Sequence, residues 1–445
     1  MRKLLIAAAT AAALAPGMAL ATDGYFSHGY GIKAKGMGGT SAAVTQDAFG
    51  GANNPATMAF AGNQFALGVD LFSPWRKAER TGSANGLDGS AESDNNYFFV
   101  PELAFNYMLQ PDLALGVTVY GNGGMNTDYP EGQITSAAGR GTCNQFQTGG
   151  VGPVQASYNL LCGNGKLGVD LSQLIVAPTA AWKFVPNHSV GLSPLFAYQR
   201  FKAEGLQAFG GFSTSANNMT NQDYDTSTGW GARVGYYGEI TPQFAVGAAY
   251  ATKMSMSKFD KYKGLFAEQG GFDIPSHYTL GVAFRPTRQW LVALDYERIN
   301  YSDVKSVHND SSKLLQCAGG NTSNCLGGSD GAGFGWQSID VWKLALQYAI
   351  DEQWTVRAGY NLSGNPIRSQ DVTINILAPG VVQSHYTLGT TWAWDRQNEI
   401  SAAFMYAPTE KVSGSSLFNS FGVSGGQETI QMYQWSLGVQ YANKF

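Results

Sequence analysis

Tyr433-Gln434-Trp435-Ser436-Leu437-Gly438-Val439-Gln440-Tyr441, closed by the terminal Phe445, decides how the rest of the chain is read. Every second residue is bulky and apolar, and those between are polar or small. Period-two alternation marks a β-strand with two unlike faces. Such a strand needs grease on one side and a polar or crowded space on the other. Only Asn443 interrupts the apolar row before Phe445.

The same rhythm repeats upstream. Phe65/Leu67/Val69/Leu71, Phe244/Val246/Ala248/Tyr250, Trp354/Val356/Ala358/Tyr360 and Ile400/Ala402/Phe404/Tyr406 each form one apolar row. Six tight turns link such segments: Gln110-Pro111-Asp112, Val185-Pro186-Asn187, Thr241-Pro242-Gln243, Pro286-Thr287-Arg288, Asp351-Glu352 and Asp395-Arg396-Gln397. Fourteen segments result, at 64–76, 96–109, 112–122, 168–184, 188–204, 226–240, 243–258, 274–286, 289–304, 336–350, 353–363, 382–395, 398–410 and 428–445. Seven longer connections alternate with the turns, at 77–95, 123–167, 205–225, 259–273, 305–335, 364–381 and 411–427. The pattern predicts an all-β fold, a 14-stranded antiparallel transmembrane β-barrel over 64–445. Its oily rows should face lipid and its small or ionic rows the lumen. Trp182, Phe184, Phe244, Trp290, Trp354, Trp392 and Trp394 cluster beside the tight turns, where an interfacial girdle belongs.

Composition agrees. The chain is 13% aromatic, only 13% charged, and holds 56 Gly. Arg2 and Lys3, the apolar run 4–14, Pro16 and Ala19-Leu20-Ala21 read as a secretory signal peptide over 1–21. That run is shorter than the ~20 residues of a spanning helix, and no later segment supplies one. No Pro/Ser-rich linker divides the remainder. The formal net charge is −4 with no basic patch, so no nucleic-acid partner is expected.

Cys143/Cys162 and Cys317/Cys325 form two local pairs inside long connections. In an exported chain these predict two disulfides, each stapling one loop. A metal site would need four converging ligands at tighter spacing, and no metal or cofactor is expected. Residues 22–63 precede the first strand and are rich in Gly and Ala, as in Gly36-Met37-Gly38-Gly39. With Phe49, Met58 and Phe60 and few charges, they suit an N-terminal hatch packed inside the barrel better than an exposed tail.

The last strand, ending in Phe445, resembles the assembly signal of bacterial outer-membrane barrels. That implies the barrel-assembly machinery as a partner, with outer-membrane lipid and lipopolysaccharide as surroundings. From signal peptide to Phe445 the chain resembles the FadL family (OmpP1/FadL/TodX type), outer-membrane transporters of long-chain fatty acids and other hydrophobic compounds. The likeness rests on the hatch motif Asn54-Pro55-Ala56, the fourteen segments, and Val169-Asp170-Leu171-Ser172-Gln173-Leu174 followed by Ala177-Pro178. It implies a monomer in the outer membrane of a Gram-negative bacterium, taking a hydrophobic small-molecule ligand. It further implies capture between outer loops, here 123–167 and 205–225, and exit through a kink in the third strand. Gly121-Asn122-Gly123-Gly124 can supply such a kink, since strand glycines mark bulges; a plain loop start is the alternative.

The inward rows carry Lys183, Arg233, Lys253, Lys343 and Arg357 against Asp70, Glu102, Glu239, Asp295 and Glu297. A water-filled pore would look similar, but an open pore gains nothing from a plug. Arg233 and Lys253, in phase on adjacent segments, are candidates to hold a ligand carboxylate. Ser276-His277-Tyr278-Thr279-Leu280-Gly281 recurs as Ser384-His385-Tyr386-Thr387-Leu388-Gly389, with both imidazoles on the inward row. The five histidines form no His-x-x-x-His and no Cys–His pairing, so no catalysis is expected. The expected function is passive uptake of hydrophobic small molecules, foremost long-chain fatty acids. Aromatic or alkane hydrocarbons are the alternative cargo, and a surface adhesin or outer-membrane lipase the alternative class.

Overall fold

The computed structural model describes residues 23–445, so the signal peptide expected over 1–21 lies outside the described residues. Fourteen long strands follow in order: β1 Gln64–Thr81, β2 Phe98–Gln110, β3 Leu113–Tyr129, β4 Leu167–Val185, β5 His188–Glu204, β6 Asp225–Thr241 and β7 Phe244–Ala251; then β8 His277–Phe284, β9 Trp290–Ile299, β10 Ile339–Ala349, β11 Trp354–Ser363, β12 Ser384–Ala393, β13 Asn398–Ser415 and β14 Gln427–Lys444. Each pairs antiparallel with its neighbours in the chain. β14 also pairs with β1, from Gln64 opposite Lys444 to Thr81 opposite Gln427. The sheet is therefore closed, and closure satisfies every strand edge where lipid offers no hydrogen bonds.

Turn chemistry explains the tight ends. Asp351 Oδ1 accepts from the backbone N–H groups of Gln353 (2.8 Å) and Trp354 (2.7 Å). Asp395 repeats the arrangement with Gln397 and Asn398, at 2.7 and 2.6 Å. These side chains fold the chain back by imitating a backbone turn.

Alternation sets the two faces. Leu67, Val69, Leu280, Leu388 and Phe404 are exposed on the outer wall, Leu388 by 62%, while Ala66, Gly68, Asp70, His277 and Ala403 turn inwards. Strands β13, β14, β1 and β3–β6 run 17–19 residues, whereas β7–β12 run 8–11. About 9–11 residues cross a bilayer, so one side of the barrel stands taller than the membrane requires. On β1 the outward row accordingly changes from Phe65, Leu67 and Val69 to Lys77 and Glu79.

Several boundaries correct the sequence reading. The segment expected over 243–258 leaves the sheet at Ala251, and only Ser255–Met256 touches β6 again. The first, third and thirteenth strands run past their expected ends at 76, 122 and 410, to Thr81, Tyr129 and Ser415. Both disulfides are formed, Cys143–Cys162 and Cys317–Cys325, each with Cα atoms 4.8 Å apart. Cys143 sits on the helix Ala137–Thr148, capped by Ser136, whose Oγ accepts from Gly139 N at 3.0 Å.

Candidate functional site

Residues 23–62 lie within the ring of strands, touching the wall on opposite sides. Ile32 N donates to Gln440 Oε1 on β14 (3.1 Å), Gly38 N to Thr387 Oγ1 on β12 (2.8 Å), and Ser41 N to Asp295 Oδ2 on β9 (2.8 Å). Backbones meet so closely that glycine is required. A Cβ on Gly389 would lie 3.0 Å from Gly36 Cα, and one on Gly359 would lie 2.1 Å from Gly38 N.

The Asn54-Pro55-Ala56 motif is a fastening. Asn54 caps the 3-10 turn Pro55–Phe60, its Oδ1 accepting from Ala56 N at 3.1 Å. Its Nδ2 donates to the carbonyls of Ala42 (2.7 Å) and Tyr236 on β6 (2.8 Å). Pro55 opens the turn at the position where a missing N–H costs nothing.

Two cations of the N-terminal segment were missed in the sequence. Lys33 pairs with Glu399 of β13, and Lys35 lies 2.9 Å from Asp70 of β1 and 3.5 Å from Glu102 of β2. Both lysines are buried. The available clue was that Asp70 and Glu102 lie on the inward rows of neighbouring strands. By contrast Lys343 and Glu297 pair within the wall, at 2.6 Å.

Arg233 and Lys253 are not brought together. Arg233 is buried and fully engaged: Nη1 donates to Gly51 O of the plug (2.6 Å) and Tyr120 Oη (3.2 Å), and Nη2 meets His277 Nε2 (3.2 Å). Lys253 lies beyond the end of β7, 43% exposed, 3.2 Å from Asp273. The strand stops before alternation can aim it inwards. The repeated histidines also seat the plug: His385 stacks on His28 at 5.9 Å, and His277 meets the edge of Phe26 at 5.2 Å.

The string Gly121-Asn122-Gly123-Gly124 forms a β-bulge. Gly121 pairs with Leu174 and Gly123 with Gln173, leaving Asn122 as the extra residue on β3. A bulge bends its strand and shifts the inward row by one. Tyr120 and Asn122 face in before it, and Met125, Thr127 and Tyr129 after it. Residues 25–30 fill the bend. Ser27 N donates to Asn122 O (3.1 Å), Gly124 N to Tyr25 O (3.1 Å), and Tyr30 Oη to Asn122 O (3.1 Å). A Cβ on Gly123 would lie 1.8 Å from Tyr25 O.

Above the plug, the long connections build an apolar mouth with three cavities. An outer crevice of about 230 Å³ is lined by Phe146, Ala208, Phe209, Phe212, Leu417, Phe418 and Phe421. It lies between the loops expected to capture ligand, joined by the last loop. Below it, a cavity of about 530 Å³ is walled by Phe201, Phe209, Phe266, Leu314, Phe334, Ile374 and Leu377, among others. A third, of about 340 Å³, is bounded by Tyr25, Phe72, Arg76, Met125, Trp336, Ala378 and Met432. Phe209 lines the first two, and Leu377 of the second directly precedes Ala378 of the third in the chain. Gly124, Met125 and Asn126, just past the bulge, form part of the third wall. The loop 300–338 that roofs the second cavity is braced by Lys313 on Asp330, a hydrogen bond that holds the Asp330 carboxyl below its usual range.

The sequence reading expected no nucleophile-elbow Gly-x-Ser-x-Gly, yet Gly327-Gly328-Ser329-Asp330-Gly331, in that loop, and Gly422-Val423-Ser424-Gly425-Gly426 both spell it. Ser329 lies exposed in a loop, not between strand and helix as such an elbow requires.

No curated protein matches the chain in sequence. Solved structures share its fold. The toluene transporter TodX of P. putida superposes with a TM-score of 0.66 at 19% identity, covering 94% of this chain and 99% of that one. TbuX, a Ralstonia pickettii toluene transporter, gives 0.62 at 18% identity over 94% and 99%. A Pseudomonas aeruginosa FadL homologue gives 0.64 at 13% identity over 95% and 100%. The model of the family described as outer membrane protein transport protein (OMPP1/FadL/TodX) matches residues 6–445. This closed barrel is thus a member of the OmpP1/FadL/TodX family of outer-membrane transport proteins and not an enzyme.

Proposed function

We propose that this barrel takes up hydrophobic small molecules passively, receiving them in the loop crevice and releasing them sideways at the Asn122 bulge. The observation that carries this is the succession of three apolar cavities, from Phe146 and Phe209 at the mouth to Met125 beside the bulge. Residues 23–62 act as the hatch: they block the straight path, so ligand reaching the third cavity meets the plug tip and the bend in β3. Exit requires residues 25–27 to withdraw from the bulge.

Long-chain fatty acids are the favoured cargo, since the cavities offer a long apolar path. Aromatic hydrocarbons are the second reading, favoured by Phe201, Phe209, Phe266 and Phe334 in a cavity with no charged side chain. TodX and TbuX, the similar structures, are toluene transporters. Deleting Asn122 should straighten β3 and shut the side exit. Cells carrying that deletion should lose uptake of both oleate and toluene while remaining impermeable to sugars. Undiminished uptake would refute the lateral route.

A further inference from the structure

The outer wall at the seam carries levels of unlike chemistry, in register across β13, β14 and β1. Phe404, Leu437 and Leu71 stand abreast, with exposed Phe99 of β2 beside them. Next come Tyr406, Trp435 and Ser73, then Tyr433 opposite Trp75. Beyond these lie Lys411, Gln431 and Lys77, followed by Ser413, Thr429 and Glu79. Ten positions separate Trp75 from Phe65, which meets Tyr441 near the periplasmic rim. About 9–11 residues cross a bilayer, so Trp75 lies at the outer-leaflet boundary and the two lysines just past it.

The aromatic level is a platform. Trp75 and Tyr433 stack at 5.9 Å with ring planes 5° apart, and Tyr97 stands 6.4 Å from both Trp75 and Trp435. Ser73 is fully buried among them although its row faces out, and Trp75 Nε1 donates to its Oγ at 3.1 Å.

Five cations lie on the outward rows of the strands: Lys77, Arg200, Lys202, Arg298 and Lys411. Arg200, Lys202 and Arg298 have carboxylates at 4.0, 3.1 and 2.8 Å, from Asp170, Glu204 and Asp340. Among the described residues Lys77 and Lys411 have none within 4.0 Å; Glu92 stands opposite Lys77 in register without forming an ion pair. Both lysines flank Gln431, which sets their Cα atoms about 10 Å apart at the ordinary strand spacing. A single exposed lysine needs no partner. Two on one level, above a flat aromatic floor, make a seat for a phosphate.

We propose that this face binds a phosphorylated glycolipid of the outer leaflet. Its phosphate lies between Lys77 and Lys411, its sugar on Trp75 and Tyr433, and its acyl chains along Leu71, Leu437 and Phe404. Trp and Tyr suit such a boundary, with one end apolar and the other wet. Lysine gives phosphate a charge-assisted hydrogen bond. A phospholipid supplies phosphate and acyl chains but no sugar ring for the platform. The bound lipid spans β13, β14 and β1 and so clasps the closing seam. The site is outside the lumen and independent of the cargo route.

The test is native mass spectrometry of the full chain purified in detergent, titrated with bis-phosphorylated lipid A, dephosphorylated lipid A or phosphatidylglycerol. The variants are Lys77→Gln with Lys411→Gln, Trp75→Leu and, as an outward cation elsewhere, Arg298→Gln. Heat-modified mobility in gels verifies that each barrel is folded. The double lysine variant should weaken lipid A binding about tenfold or more, and Trp75→Leu about threefold or more, with Arg298→Gln within twofold. The unaltered chain should bind the other two lipids at least about tenfold more weakly than lipid A. Unchanged lipid A binding in the double lysine variant overturns the site. Equal weakening by Arg298→Gln also overturns it, as does phosphatidylglycerol binding as tightly as lipid A, the mark of an unspecific anionic contact. Unchanged binding in Trp75→Leu removes the sugar platform and with it the glycolipid assignment.

Discussion

Asn54 Nδ2 and the Tyr236 carbonyl meet at 2.8 Å, fastening the plug's signature motif directly to the backbone of β6. The same amide reaches Ala42 O, and its oxygen caps the turn that follows, so one side chain ties two plug segments to the wall. Asn54→Ala removes three buried hydrogen bonds, worth about 1–3 kcal/mol in sum. The expected outcome is a leaky barrel, seen as a several-fold rise in disaccharide permeation in liposome swelling. A plain diffusion pore would show no change.

Lys35 is the counter-charge for two wall carboxylates at once. Lys35→Met leaves Asp70 and Glu102 buried side by side without a cation, which should cost about 3–5 kcal/mol. The midpoint of heat modification should fall, and added protease should release fragments of residues 23–62. The double change Lys35→Met with Asp70→Asn should recover part of the loss.

Phe209 belongs to both the outer crevice and the cavity beneath it. A carboxylate there would put an unpaired charge on the only residue the two cavities share. Phe209→Asp should lower the initial rate of oleate uptake at least tenfold, whereas Phe209→Leu should stay within twofold. Equal rates in the two variants would place entry elsewhere.

Arg233 and Lys253 should behave unlike each other. Arg233→Gln gives up its bond to Gly51 O in the plug and should raise sugar permeation. Lys253→Gln loses an exposed ion pair worth under about 1 kcal/mol and should leave uptake and permeation unchanged.

Cys143 and Cys162 are 19 positions apart in the chain. Replacing both with serine removes a constraint of about 3 kcal/mol on the unlinked loop. Trypsin-resistant barrel should persist, but a broad-specificity protease should now cut near exposed Val151.

The strand count and phase were legible because period-two alternation and Asp-, Thr- and Pro-containing turns are local signals. Leu388 faces out and His385 in, as alternation alone indicates. Where local pattern and tertiary structure part, the reading failed. Lys253-Met254-Ser255-Met256 continues an alternating string, yet the chain leaves the sheet at Ala251 to build the mouth. The plug's lysines were overlooked because Lys33 and Lys35 are separated from Glu399 and Asp70 by chain distances that no periodicity spans. The mouth's phenylalanines were invisible for a similar reason: Phe146, Phe209 and Phe418 come from three loops with no shared rhythm.

The seam between β14 and β1 has a consequence for biogenesis. The first strand to leave the ribosome waits for the last before it has a partner on that side, and such long-range pairing is slow. A segment lying inside the cylinder, gripped on opposite walls, has to be in position before the seam zips shut. Lys35 and Asp70 therefore need to find each other in a still-open sheet.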